Sequence, residues 1–331
     1  MYKKVLFTHD DMDGAGCRIV FELAHRHLEK GKDYEIFNCS NNGVDETALS
    51  IFRNEQFDPV NTHVIFADIC CSVQALEVFK SKEVKVDIFD HHRTNFPVQQ
   101  VYPDAQIVPE NVLGVQESGT SLLYQYFYNI DDFTGEHFKN LDEVMFSKLV
   151  DTIRSYDTYE WKTTNNILAK ELQTLFYLLG MDKFCERYIK KISDVENKDN
   201  HLISLTDMDF VSTKIENEQK VIDNFTPDDV FEFMLRGYNI AFILTTKGAS
   251  ISELGYQFLT KYPQYDAMIY FSPYNGGKFE MRTVRDYIDM GAMFAMPIGG
   301  GGHPKAAGAP LPQSSQDMMV DMLIDVLNGR F

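Results

Sequence analysis

Carboxylates and imidazoles fall in three short clusters: His9-Asp10-Asp11-Met12-Asp13-Gly14, a single Asp68 closing an apolar run, and Asp90-His91-His92 closing another. Mixed carboxylate and imidazole donors suit borderline-hard divalent ions such as Mn²⁺ better than ions that seek thiolates. Asp11 and Asp13, two apart in an extended segment, point the same way, and Gly14 and Gly16 let the chain turn tightly into a following helix. Acids this crowded repel one another unless cations lie between them, so the pattern calls for more than one metal ion. A lone aspartate at a strand end is usually a turn former or a helix N-cap. What argues for a site is the coincidence of such groups at neighbouring strand ends.

The elements that must position these residues can be read from apolar patterning. Short β-branched or apolar runs at residues 3–9, 34–39, 63–68 and 84–90 alternate with helical spacing at 15–29 and 73–80. This alternation predicts an α/β protein whose N-terminal domain is a parallel sheet with helices on both faces. Ligands of such sheets bind beyond the carboxyl ends of the strands, where three of the first four expected strands end in acids or histidines. Helical patterns then dominate 118–130 and 141–192, with Leu168, Leu172, Leu175 and Leu179 at helical spacing. The helix starting near Ser118 could aim its N-terminus at a phosphate or simply be capped.

Residues 193–235 are charged and poor in apolar side chains, and read as a partly helical connector between a domain at 1–192 and a smaller α/β domain at 236–331. In the latter, strands are expected at 238–246, 267–272 and 278–284, with a turn at 273–277 and helices at 252–261 and 316–327. A second constellation lies here: Gly299, Gly300, Gly301, Gly302, His303, Pro304 and Lys305, then a small-residue run to Gly308. Glycines let backbone N–H groups approach a phosphate or base, and His303 can donate to the same anion. Arg282, on an expected strand, could supply a bidentate phosphate contact or be an ordinary surface arginine.

Composition narrows the partners. The chain has 331 residues, 44% hydrophobic and 24% charged, with 31 basic against 49 acidic side chains and a net charge of −18. A protein that tracks long nucleic acid by neutralising many phosphates is usually basic, so long duplex is a poor partner. No signal peptide or apolar span is evident, which predicts a cytoplasmic protein without membrane contact. Five scattered cysteines without a Cys-x-x-Cys pair argue against a disulfide framework or structural zinc.

His9-Asp-Asp11-Met-Asp13-Gly14, Phe66-Ala-Asp68, Asp90-His91-His92, Asp151 within LVDTIRSYDTYEW, and GGGGHPKAAG resemble, in order and over nearly the whole chain, the motifs of the DHH phosphoesterases with their C-terminal DHH-associated domain. SGTSLLYQY and RSYDTYEW further resemble the nanoRNase B branch of oligoribonucleases. The resemblance implies two lobes with a cleft between them, the first holding two divalent ions, Mn²⁺ foremost with Mg²⁺ or Co²⁺ as alternatives, and the second recognising substrate. Asp68 would bridge the ions, His9 and Asp11 would complete one site, and Asp13, His91 and Asp151 the other. His92 would face the scissile phosphate, with Asp90 orienting a histidine. Arg282, His303 and the glycine run would hold the nucleotide. His9 stands two residues before Asp11, where several members of the family have four. The implied activity is hydrolysis of short oligoribonucleotides or dinucleotides by a metal-activated water. A nucleotide phosphatase, a cyclic-dinucleotide phosphodiesterase and a RecJ-like exonuclease are the alternatives, and homodimerisation stays open.

Overall fold

The computed structural model describes residues 3–41, 43–54, 57–129, 136–196, 200–272, 277–312 and 314–315. The chain divides into two compact units, Met1–Ser212 and Thr213–Phe331. In the first, β1 (Lys3–His9), α1 (Met12–Ala24), β2 (Tyr34–Cys39), α2 (Val44–Ser50), β3 (Thr62–Ala67), α3 (Val73–Ser81), β4 (Lys85–Asp90) and the short β5 (Gln106–Ile107) precede a helical part. That part comprises α4 (Gly119–Asn129), α5 (Glu143–Asp157), α6 (Glu160–Thr164), α7 (Ile167–Leu179) and α8 (Met181–Ser193). The division falls within α9 (Leu205–Asp223). The second unit follows with β6 (Phe231–Leu235), β7 (Tyr238–Ile243), α10 (Ile251–Lys261), β8 (Ala267–Ser272), β9 (Lys278–Arg282), β10 (Gly301–His303) and β11 (Ala306–Pro310).

The first sheet is wholly parallel, in the order β2-β1-β3-β4-β5. Val5, Leu6 and Phe7 and all of β3 are buried, as strands covered on both faces require. The register sets Phe7 opposite both Phe37 and Phe66. Their rings stack at centroid separations of 5.1 and 5.0 Å, and Phe79 of α3 meets Phe66 edge-on at 5.8 Å. This aromatic row ties three strands and a helix together one or two residues before the strands end. From β1 the chain goes to β2 on one side and returns to β3 on the other. The strand order therefore reverses between β1 and β3, the kind of switch point beyond which open α/β sheets bind ligands.

The second sheet is mixed, in the order β10-β11-β9-β8-β7-β6, with β7 and β8 parallel and the other neighbours antiparallel. Three expectations change here. The segment 193–235 is not only a connector, since it contains the long α9 and the first strand of the second sheet. As the edge strand, β6 exposes Phe231 and Met234, so no alternation of burial marks it. The glycine run, expected to open its amides to an anion, is in part a strand: Gly301, Gly302 and His303 pair with Gly308, Ala307 and Ala306. Its glycines admit close packing, since a Cβ on Gly300 would lie 2.2 Å from the Gly308 carbonyl oxygen. The helix expected at 316–327 and most of the turn at 273–277 lie outside the described residues. Among those described, no helix is long and apolar enough to cross a membrane.

Phe66→Ala should lower the unfolding free energy by about 3–5 kcal/mol, because a fully buried ring would leave a cavity in the row. A urea titration checks this as a lower midpoint at unchanged slope; a loss under about 1 kcal/mol would contradict the row's structural role.

Candidate metal centre

β1 ends at His9 and the chain turns at once into α1, whose N-cap Asp11 accepts a hydrogen bond from the Gly14 amide at 3.0 Å. A Cβ at position 14 would lie 2.0 Å from the His9 carbonyl oxygen, so the turn requires glycine. It brings His9 Nδ1 to 2.6 Å from Asp11 Oδ2. Asp13, in the first turn of α1, is buried and accepts from the Gly119 and Thr120 amides at 2.7 and 3.1 Å. The N-terminus of α4 is therefore already engaged by a carboxylate, which neutralises its dipole, and does not present those two amides to a phosphate.

Asp68 follows β3 with φ at +62°, a conformation that non-glycine residues seldom adopt. Two neighbours hold it there. Its amide donates to the Phe89 carbonyl at 2.9 Å, and Gly119 packs so closely that a Cβ on it would lie 2.4 Å from Asp68 Cβ. Backbone strain of this kind persists only where surrounding structure over-determines it, commonly at functional sites. Asp90, at the end of β4, is fully buried. Its Oδ1 accepts from the His91 and His92 amides at 2.7 and 2.9 Å and from His92 Nδ1 at 2.8 Å, and its Oδ2 accepts from Asn95 Nδ2. That fixes the His92 ring with Nε2 directed away from Asp90.

These turns bring donor atoms together in three overlapping sets, each within 4.8 Å: His9, Asp11 and Asp68; Asp13, His91 and Asp157; and Asp68, His91 and His92. Asp68 and His91 each belong to two sets, and His91 Nε2 lies 3.3 Å from both Asp68 Oδ1 and Asp157 Oδ2.

Asp151 is not among them, which corrects the expectation from the motif. Its side chain is 67% exposed and pairs with Arg154 at 2.8 Å. Asp157, the last residue of α5, stands in the cluster instead. Both aspartates precede a threonine in LVDTIRSYDTYEW, so the local motif does not separate them. Helical periodicity does. Met145, Leu149 and Ile153 form a buried i, i+4 stripe, and the next position on it is Asp157.

The charges show what the cluster lacks. Burial, reinforced by Asp13 and Asp11, pushes the carboxyls of Asp68 and Asp157 well above the usual range. Burial also opposes ionisation of Asp11, but there the His9 charge outweighs it and holds the carboxyl below its ordinary value. His9 is raised to about 9, since the Asp11 charge overcomes the opposing effect of burial. Among the described residues, the buried oxygens Asp68 Oδ2 and Asp157 Oδ2 accept no hydrogen bond, although His91 Nε2 lies 3.3 Å from the latter. Clustered buried acids, oxygen and imidazole donors, and carboxylate oxygens that accept no hydrogen bond together fit hard or borderline divalent cations.

In the second unit, Arg282 Nε and Nη2 donate to Ser252 Oγ at 3.2 and 3.1 Å, which orients the guanidinium. The Gly299 and Gly300 amides donate to the Met296 and Ala295 carbonyls, so these two do not form the open anion cradle expected of them. Gly301, Gly302 and His303 form β10, which ends the sheet order among the described residues; the His303 side chain lies outside them.

Asp157→Asn should weaken Mn²⁺ binding by at least about tenfold, whereas Asp151→Asn should bind like the parent chain, as calorimetric titration would read. Equal losses in both variants would refute the exchange of one aspartate for the other. Removing one of the mutually repelling acids should also stabilise the metal-free chain: Asp68→Asn should gain about 0.5–2 kcal/mol in thermal unfolding while losing stabilisation by metal.

No protein-family model matches the chain. In sequence it is similar to oligoribonuclease NrnB of Bacillus subtilis strain 168, at 28% identity over 95% of this chain and 74% of that protein. In structure it resembles a DHH domain described as part of a member of a family of ribosomal proteins, with a TM-score of 0.61 and 14% identity over 98% of this chain and 86% of that one. It also resembles RecJ of Thermus thermophilus in complex with Mn²⁺, with a TM-score of 0.51 and 12% identity over 99% of this chain and 52% of that one. The two structural likenesses are of fold.

Proposed function

The chain has the DHH fold and is similar along most of its length to an oligoribonuclease, and from that premise we propose that it is a metal-dependent phosphoesterase hydrolysing phosphodiester bonds in short oligoribonucleotides or dinucleotides. The observation that carries this reading is the convergence of His9, Asp11, Asp13, Asp68, His91 and Asp157 around the switch point of a parallel sheet. His9, Asp11 and Asp68 would hold one divalent ion, and Asp13, Asp68, His91 and Asp157 a second. When bound, such ions supply an activated water and neutralise charge on the phosphate oxygens. Mn²⁺ suits the donor set, and Mg²⁺ or Co²⁺ are alternatives.

The chain's own residues do the positioning. Asp90 holds His92 by Nδ1, so that Nε2 can meet an oxygen of the scissile phosphate. Asp13 joins α1 to α4, and Gly119 presses on Asp68, so the two halves of the donor set keep a fixed spacing. In the second unit, Arg282, Gly301, Gly302 and His303 would hold the nucleotide; Gly300 serves packing, and Gly299 takes a left-handed turn at φ +80°. A small substrate fits the net charge of −18, which offers little to a long polyanion.

With Mn²⁺ present, the protein should release mononucleotides from RNA dimers to pentamers, and chelation should stop it. His92→Ala should lower kcat about a hundredfold or more. Product analysis by chromatography checks both. Hydrolysis of pyrophosphate or of nucleotide monophosphates, with short RNA left intact, would overturn the proposal.

A further inference from the structure

The segment that brings Asp157 into the cluster continues into a group of side chains that metal binding does not use. Beyond Asp157 the chain turns through Tyr159, at φ +62°, into α6. The rings of Tyr156 and Trp161 lie 11° from parallel with centroids 5.8 Å apart. Lys162 Nζ sits 5.1 Å from the centroid of Trp161 and 5.6 Å from that of Tyr159. All four residues are partly exposed, while the Lys162 ammonium itself is buried against the rings. The three rings thus stay partly open to solvent around a buried cation.

Arg154 locks the group to the metal centre. Its guanidinium pairs with Asp151 at 2.8 Å and with Glu160, the first residue of α6, at 2.6 Å. It also donates to the Gln116 carbonyl at 3.0 Å, in the stretch of chain leading to Gly119. The exposed Asp151 thus acts in a clamp that sets α6 relative to Asp157 and to the residue packed on Asp68.

Aromatic faces stack nucleobases with little regard to sequence, and a neighbouring cation adds attraction for phosphate. We propose that Tyr156, Tyr159, Trp161 and Lys162 form a nucleotide subsite beside the metal centre, stacking one base of the substrate and setting the Lys162 charge near its phosphate. The choice of a nucleotide rests on the phosphoesterase reading, but the test does not require turnover.

Trp161 is the only tryptophan of the chain, so its fluorescence reports on the subsite directly. Adenosine 5′-monophosphate added to the full chain at fixed Mg²⁺ should quench it saturably. Ribose 5-phosphate, which carries the phosphate without a base, should not. Tyr156→Leu, which keeps the reporter, should raise the half-saturation concentration about tenfold. For cleavage of an RNA dimer, Trp161→Ala should raise KM about tenfold and Trp161→Phe should restore it. Absence of saturable quenching, equal quenching by ribose 5-phosphate, or a KM within twofold of the parent in Trp161→Ala would overturn the subsite. Base-dependent quenching in a chain that cleaves no short RNA would instead overturn the hydrolytic reading and leave the subsite standing.

Discussion

The first unit is organised around a repulsion. Asp11, Asp13, Asp68 and Asp157 are drawn from the end of β1, the start of α1, the end of β3 and the end of α5 into one cluster. Burial and mutual charge make ionisation of Asp68 and Asp157 unfavourable. A fold that only sought stability would not keep them together. The scaffold holds them with uncharged devices: the aromatic row under the strand ends, glycines where backbone and side chain come too close for a Cβ, and helix amides given to Asp13. Divalent cations held there would convert that repulsion into attraction and neutralise the cluster within an acidic protein.

The same view explains the acid excess. A net charge of −18 first reads as hostility to any phosphate-bearing partner. With four carboxylates in a cation cage, two divalent ions would cancel their charge, and the local field would no longer share the repulsion of the whole protein. A short substrate would meet mainly the local field, whereas a long polyanion would meet both.

Much of this was legible in the sequence, for identifiable reasons. Buried parallel strands are short apolar runs, and a run that stops on His9, Asp68 or Asp90 announces both the strand and the chemistry at its end. Asp157 was hidden because Asp151 sits in the same local dipeptide; only the stripe of Met145, Leu149 and Ile153 separates them, and that stripe becomes decisive once α5 is seen to pack by that face. β6 escaped because an edge strand with exposed aromatics carries no burial alternation. The glycine run misled for a different reason. Glycine permits both an open cradle and close strand packing, and which of the two occurs depends on Gly308 and Ala309, which lie opposite in space.

The central claim is that the clustered acids at the switch point exist to hold cations. The most direct measurement is anomalous scattering from crystals grown with Mn²⁺, recorded at the manganese edge. The account predicts two peaks, one among His9, Asp11 and Asp68 and the other among Asp13, Asp68, His91 and Asp157. No peak within the cluster, or a peak coordinated by Asp151 in place of Asp157, would contradict it.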